Sequence, residues 1–332
     1  MPGHSRVVVT DYTFESLDVE AAILEPLGCQ VEGAQCRTAA QVAELVADAD
    51  YVITQFAPVT HQAIAAMHKA RIIVRYGIGV DNVDLSAATQ HGIPVCNVPN
   101  YCIDEVADHT LALILAATRR LDQNNRVIEQ GGWKLAVPVD AMRALSGSTA
   151  GVVGFGRIGR GVVQRLRGFG GRVLVHDPMV DGQDIKQAGA IPATLAELLA
   201  ASDLITLHCP SVPATRQMIN EHSLASMKPG VIVINVGRGT LIDTPALTQA
   251  LRRGHVAAAA LDVADPEPLP TDHPLRQMSN VILTAHIASV SPAAVRRLRE
   301  SAAQAVACAC RGLPLPNVVN GVKPAPAPVV RP

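Results

Sequence analysis

The sequence predicts an α/β chain folded as two doubly wound parallel-sheet domains. Short β-branched apolar runs alternate with helix-length stretches from end to end, the pattern of parallel strands covered on both faces by helices. The 332 residues exceed what one core sustains, since single cores stop growing at roughly 250–300 residues. One stretch, Ala150 to Asp177 (AGVVGFGRIGRGVVQRLRGFGGRVLVHD), reads as a complete strand–helix–strand unit with glycines at 154, 156 and 159.

Taken in order, Arg6 to Thr10 is a buried-type strand and Leu17 to Leu27 a helix closing at Gly28. The alternation continues with a strand at Val31 to Gly33, a helix at Thr38 to Ala47 and a strand at Tyr51 to Gln55. A helix near His61 to His68 precedes strands at Ile72 to Tyr76 and Pro94 to Asn97. Residues 1 to about 100 therefore form one α/β domain, with no dinucleotide fingerprint of its own. From Asp104, a cap-like residue, a long apolar helix reaches about Leu121, with Arg119 and Arg120 favourably placed in its last turn. Between Leu121 and Gly147 the pattern loosens around Gly131-Gly132-Trp133 and Pro138, as a loop or as an arm docked on a second subunit.

After Asp177 the rhythm resumes. Helices are expected at Thr194 to Ala200, near Glu221 to Met227 and at Pro245 to Arg253. Strands are expected at Leu204 to His208, Val231 to Asn235, Ala259 to Val263 and Val281 to Thr284. The helix Pro292 to Arg311 is long enough to return to the first domain, and the tail from Pro324 is too Pro-rich and short to fold.

Composition narrows the function. A formal net charge of −1 with mixed signs leaves no basic footprint for nucleic acid and no polybasic membrane patch, so small-molecule partners are favoured. The N-terminus lacks a charged, apolar and cleavable leader layout, and no apolar run reaches the roughly 18 residues of a span; these features predict a soluble cytoplasmic protein. The 7 cysteines show no CxxC pair and no matching His spacing, so reduced thiols are expected and no metal site.

In the fingerprint, Gly154 permits the tight turn, Gly156 lets a pyrophosphate approach the backbone, and Gly159 lets helix and strand pack closely. The phosphates would sit at the helix N-terminus, where unpaired N–H groups and the helix dipole favour anions. Asp177 would accept bonds from the ribose hydroxyls and repel a 2′-phosphate, which reads as NAD rather than NADP. Earlier in the chain, Gly77-Ile78-Gly79-Val80-Asp81-Asn82 follows a strand; its amides can cradle a carboxylate, or it is an ordinary βα turn. Tyr101 can offer a hydroxyl to a substrate or pack at a helix start.

Reactive side chains gather at the ends of the late strands. Arg238 follows the Val231 to Asn235 strand, Glu267 the Ala259 to Val263 strand, and His286 the last one. Arg238 can grip a carboxylate or a carbonyl oxygen with its planar fork. His286 can move a proton to or from a substrate oxygen while hydride moves at the carbon. Glu267 would hydrogen-bond the imidazole, fix its tautomer and raise its proton affinity.

These stretches resemble the D-isomer-specific 2-hydroxyacid dehydrogenase family over nearly the whole chain, through RYGIGVDNVD, NVPNYCIDEVADHTLALIL, VGFGRIG, LHCPSVPATRQMI, INVGRGTLID, ALDVADPEP and TAHIAS. The resemblance implies a flavodoxin-like substrate domain (1–101 plus 292–323), a Rossmann NAD domain (102–291), a cleft between them and a flexible tail (324–332). It implies Arg238, Glu267 and His286 as the catalytic set. It implies Ile78, Gly79, Tyr101, Arg238 and His286 as substrate contacts. For NAD(H) it implies the loop Gly154, Phe155, Gly156, Arg157, Ile158 and Gly159, with Asp177. It adds His208, Cys209, Pro210, Thr215, Val236, Gly237, Arg238, Asp262 and His286, with Asp262 on the nicotinamide carboxamide. A homodimer built through the cofactor domain is also implied. VVVTDY and CNVPNY look most similar to the branch containing C-terminal-binding proteins, which include dinucleotide-sensing corepressors. That branch has a Trp shortly after its catalytic histidine, where this chain has Ile287-Ala288-Ser289. Glu267 argues against formate oxidation, and the substrate is expected to be glyoxylate, hydroxypyruvate or a related small 2-oxo acid, or the corresponding D-2-hydroxy acid.

Overall fold

The computed structural model describes residues 4–323; the tail expected from Pro324 lies outside the described residues. The chain divides into two compact units. Unit 1 is the chain through Tyr101 together with the chain from Ser291 onward, and unit 2 is Cys102–Val290. The elements run β1 (Ser5–Val9), α1 (Asp18–Leu24), β2 (Cys29–Gly33), α2 (Ala39–Val46), β3 (Tyr51–Thr54), α3 (His61–Ala65), β4 (Ile73–Arg75), α4 (Leu85–Gln90) and β5 (Val95–Cys96). They continue with α5 (Ile103–Thr118), α6 (Leu121–Glu129), β6 (Thr149–Val153), α7 (Arg157–Arg167), β7 (Arg172–His176), α8 (Gly182–Gln187), β8 (Ile191–Pro192) and α9 (Leu195–Ala201). The last are β9 (Leu204–Leu207), α10 (Glu221–Ala225), β10 (Val231–Asn235), α11 (Thr244–Arg252), β11 (Val256–Leu261), β12 (Val281–Leu283) and α12 (Pro292–Cys310).

Unit 1 is a five-stranded parallel sheet in the order β2-β1-β3-β4-β5, the flavodoxin-like winding, whose direction reverses between β1 and β3. Val8, Val52, Ile73 and Val95 pack with Val42, Val46, Ile64 and Ala87 from α2, α3 and α4. Thr38 opens α2 with a capping box, its hydroxyl accepting from the Gln41 amide. The helix expected to run to Leu27 ends at Leu24 and tightens into a 3₁₀ turn over Glu25–Leu27, because Pro26 has no N–H to donate. Elsewhere in unit 1, α1 packs on α12. There the buried Glu20 carboxylate takes Arg299 Nη2 at 2.7 Å and the Tyr76 hydroxyl at 2.8 Å, so neither charge is left unpaired.

Unit 2 is a seven-stranded parallel sheet ordered β12-β11-β10-β9-β6-β7-β8, with the reversal between β6 and β9. That is the dinucleotide-binding winding extended by β12, and ligands in such sheets sit at the reversal, beyond the strands' carboxyl ends. Ile205, Leu207, Val231, Val233 and Ala259 form its core with Leu198, Leu224, Leu247 and Leu251 from the helices.

Several local expectations change. Asp104 is not the cap of the long helix: Cys102 precedes Ile103 at the helix start, and Asp104 lies in the first turn, bonded to Arg165 Nη2 at 3.0 Å on α7. Arg119 and Arg120 lie beyond the helix rather than in its last turn. Arg120 takes φ 52°, is buried, and donates through Nη1 to Ala257 O at 3.0 Å, so it serves as a corner and not as a dipole partner. The loosened segment after Leu121 contains a helix, α6, whose residues are all at least partly exposed; its polar composition hid the helical period. The short α4, α8 and β8 likewise leave no clear period in the sequence.

Candidate active site

The glycine loop follows β6 at the sheet reversal of unit 2. Gly154 holds φ 95°, a conformation costly for any residue with a Cβ, and a Cβ there would lie 2.6 Å from the Cys209 amide nitrogen on the neighbouring strand's loop. A Cβ on Gly159 would strike the carbonyl oxygen of Gly154, so only glycine lets α7 start this close to β6. A Cβ on Gly156 would meet no atom within 4 Å, which leaves room beside the backbone. Gly156 is also the residue at which α7 opens, and no side chain caps the first-turn amides there. Those amides and the exposed Arg157 suit a pyrophosphate.

Asp177, at the end of β7, accepts the Phe155 amide at 2.7 Å and the Met179 amide at 2.9 Å, tying the two strand ends together. Phe155 is fully buried under the Arg160 guanidinium, 4.3 Å from its ring centre, so it offers a ligand only its backbone. Across the reversal, burial lowers the His208 imidazole to about 3, so it is neutral at physiological pH. Its Nε2 is 2.9 Å from Thr206 Oγ1, while its buried Nδ1 has no hydrogen-bond partner among the described residues. Burial first, with the charge of Asp177, pushes the Cys209 thiol up to about 11, so it too is uncharged. An uncapped helix start, open space at Gly156 and an orphaned imidazole nitrogen fit a dinucleotide.

The reactive set lies at the ends of β10, β11 and β12, neighbours in the sheet. His286 Nδ1 is 2.6 Å from Glu267 Oε1. With Nδ1 so engaged, Nε2 is the ring nitrogen that a proton transfer would use. Burial works to raise the Glu267 carboxyl, but the hydrogen bond and charge of His286, the Ala264 amide and the charge of Arg238 together hold it below the usual carboxylate value. Arg238 is the residue before the turn Gly239–Leu241, and its Nη1 donates to Gly237 O at 2.8 Å. A Cβ on Gly239 would collide with the carbonyl of Ala264, so glycine is what lets the Arg238 loop lie against the loop bearing Glu267.

The family model for D-isomer-specific 2-hydroxyacid dehydrogenases, NAD-binding domain, matches residues 111–288. The chain is 38% identical to a glyoxylate reductase of Korarchaeum cryptofilum over 84% of this chain and 85% of that protein. The chain belongs to the D-isomer-specific 2-hydroxyacid dehydrogenase family. It is also 39% identical to D-3-phosphoglycerate dehydrogenase of Mycobacterium tuberculosis over 83% of its own length, but spans only 52% of that longer protein. Among solved structures it is similar to a D-lactate dehydrogenase of Aquifex aeolicus complexed with NAD and lactic acid, with TM-score 0.83, 30% identity and coverage of 92% and 96% of the two chains. Unit 2 is thus the NAD-binding unit of an oxidoreductase. No helix among the described residues is long and apolar enough to cross a membrane.

Within this dehydrogenase the remaining expected residues divide by what they touch. Thr215 accepts the Val212 amide at 2.9 Å and donates to Pro210 O at 2.6 Å, so its hydroxyl shapes the loop that follows His208 and Cys209. Val236 is buried and Ile158 half-buried. In unit 1, the Ile78 carbonyl accepts Asn97 Nδ2 at 2.6 Å and the Gly77 carbonyl accepts the Val98 amide at 2.9 Å, so the loop after β5 braces the turn that carries Gly79. Tyr101 is buried, and its carbonyl accepts Arg297 Nε at 2.9 Å.

Two functional roles were not visible in the sequence. Asn235, fully buried at the end of β10, donates from Nδ2 to Arg238 O at 2.8 Å and accepts the Gly237 amide at 3.0 Å, which sets the arginine loop. Asp262 clamps the histidine loop: its carbonyl takes the His286 amide at 2.8 Å, and its buried carboxylate takes the Ile287 and Ala288 amides, each at 2.9 Å, and the Thr284 hydroxyl at 2.6 Å. Those bonds hold His286 in its left-handed conformation, φ 54°. An amide-accepting aspartate in a DxxD run is the only sequence cue, and it does not distinguish a clamp from a ligand contact.

Proposed function

We propose that the protein is an NAD(H)-dependent oxidoreductase of a small 2-oxo acid and its D-2-hydroxy acid, with glyoxylate, hydroxypyruvate or a close relative as substrate. The observation that carries this reading is the 2.6 Å His286–Glu267 pair, at neighbouring strand ends with Arg238, in a unit whose glycine loop fits a dinucleotide. NAD(H), when bound, supplies or accepts the hydride. Arg238 binds the substrate's carboxylate or carbonyl oxygen by its planar fork, and its permanent charge polarises the carbon toward hydride. His286 gives a proton from Nε2 to that oxygen during reduction and takes it back during oxidation. Glu267 keeps Nδ1 protonated and stabilises the cationic ring that reduction needs.

The amides of Ile78 and Gly79, with Tyr101, are assigned to the substrate. Asp177 is assigned to the adenosine ribose and favours NAD over NADP by repelling a 2′-phosphate. Asp262 is assigned to the nicotinamide carboxamide, in addition to the clamp it forms on the His286 loop. A second copy of the chain is assigned to the segment bearing Trp133, where Leu121, Ile128, Leu135 and Val139 are also exposed.

The test is NADH oxidation with glyoxylate, hydroxypyruvate, pyruvate, phenylpyruvate, phosphonopyruvate and 2-oxoglutarate. Turnover of at least one small 2-oxo acid is expected. Tight NADH binding with no turnover on any would favour a dinucleotide-sensing interaction protein instead.

A further inference from the structure

His109 lies on α5, the helix that packs beneath β10 and β11, and takes no part in the chemistry described above. Its Nε2 is 3.2 Å from Thr284 Oγ1 and 3.7 Å from Asp262 Oδ1. Thr284 has a single hydroxyl hydrogen and donates it to Asp262 Oδ1 at 2.6 Å. Toward His109 the threonine oxygen can therefore only accept, so His109 Nε2 must carry a proton. The bonds converge on Asp262: His109 Nε2–H donates to Thr284, Thr284 O–H donates to the Asp262 carboxylate, the amides of Ile287 and Ala288 donate to that carboxylate from the other side, and the amide of His286 donates to the Asp262 carbonyl.

We infer that His109 is a positioning residue for His286, acting through Thr284 and the Asp262 clamp. The ring of His286 is oriented by Glu267, and its backbone is oriented by Asp262. If the donor at His109 is lost, the Thr284 oxygen loses its partner and its O–H is less polarised toward the carboxylate, so the 2.6 Å bond to Asp262 weakens. The clamp then holds the left-handed turn at His286 less firmly, and Nε2 of His286 moves relative to the substrate oxygen. A small displacement of that kind lowers rate far more than it weakens binding. The inference rests on the catalytic reading of His286 for its kinetic consequence, but not for the bond direction itself.

The experiment uses the full chain and three variants, His109→Leu, His109→Gln and Thr284→Val. The glutamine would present an amide N–H where the imidazole presents Nε2–H, whereas the leucine fills the space without a donor. With the best 2-oxo acid, His109→Leu is expected to lower kcat by about tenfold or more, as misplacement remote from the reacting atoms does, with KM and NADH affinity little changed. His109→Gln is expected to recover most of that loss. In a Thr284→Val background His109→Leu is expected to add almost nothing, the coupling expected of two members of one chain of bonds.

Histidine ¹⁵N spectra of the same proteins, with and without NADH, supply a readout independent of turnover. They should show Nε2 of His109 protonated, and the His286 resonances moved by His109→Leu but not by His109→Gln. An Nδ1-protonated His109, an unmoved His286, or equal kinetic damage from leucine and glutamine would each overturn the inference. If wild type turns over none of the acids, the proposed function fails while the spectra still decide the role of His109.

Discussion

Glu267 Oε1 and His286 Nδ1 meet at 2.6 Å although they leave different strands, and the contact depends on how the loop of a third strand packs. Gly239 supplies that packing, since any side chain there would occupy the place of the Ala264 carbonyl. Gly239→Ala is therefore expected to push the Glu267 loop away from Arg238 and His286. It should cost on the order of 10²-fold in kcat, with NADH affinity nearly kept. Steady-state kinetics beside NADH fluorescence titration check both halves of that expectation.

Asn235 ties the Arg238 loop from inside the protein. Asn235→Ala leaves the Gly237 amide without this partner and takes one donor from the Arg238 carbonyl, which keeps the Leu241 amide at 3.2 Å; for partly buried groups that loss is on the order of 1 kcal/mol. Chemical denaturation should report that loss of stability, and KM for the 2-oxo acid should rise because the guanidinium is no longer held.

With Asp177 assigned to the adenosine ribose, cofactor choice is expected to turn on it. Asp177→Ala removes the ribose acceptor and the charge that repels a 2′-phosphate, and also the partner of the Phe155 amide. NADH affinity should fall and the preference over NADPH should shrink. A wild-type enzyme that prefers NADPH would contradict the assignment.

Trp133 is 91% exposed and Val139 74%, in a segment with three further exposed apolar side chains. Sedimentation at micromolar concentration should show a homodimer, and Val139→Glu should shift it toward monomer. A wild-type monomer would count against the assignment of that segment to a second copy.

The parts legible in the sequence are those whose cause is local. The glycine spacing at 154, 156 and 159 follows from how closely a strand, a turn and a helix can approach, and the apolar runs follow from burial on both faces of a parallel sheet. Pairings made by the fold leave little local trace. Nothing in the sequence around Asp262 says that it will take the amides of Ile287 and Ala288. Arg120 looks like a helix-end cation from its neighbours in sequence, whereas its burial and its bond to Ala257, far along the chain, are made by the fold. The helix α6 was hidden because it is mostly polar and its few apolar residues, Leu121, Val127 and Ile128, all stay at least partly exposed.

The direction of the Glu267 shift fixes a pH expectation. Its carboxyl is held below the usual value of about 4.3, so the carboxylate, and the stability its pairing contributes, are present above that value and are lost only as pH falls through the lowered one. Through the neutral range Glu267 is thus a constant negative charge beside the His286 ring.

The pH dependence of kcat/KM for 2-oxo acid reduction, in wild type and Glu267→Gln, tests that pairing most directly. The glutamine keeps the shape but has no carboxyl to protonate, so the fall in wild-type kcat/KM as pH drops through the lowered Glu267 value should be missing from the variant's profile. Superimposable profiles from two active enzymes would contradict the pairing as the basis of proton transfer.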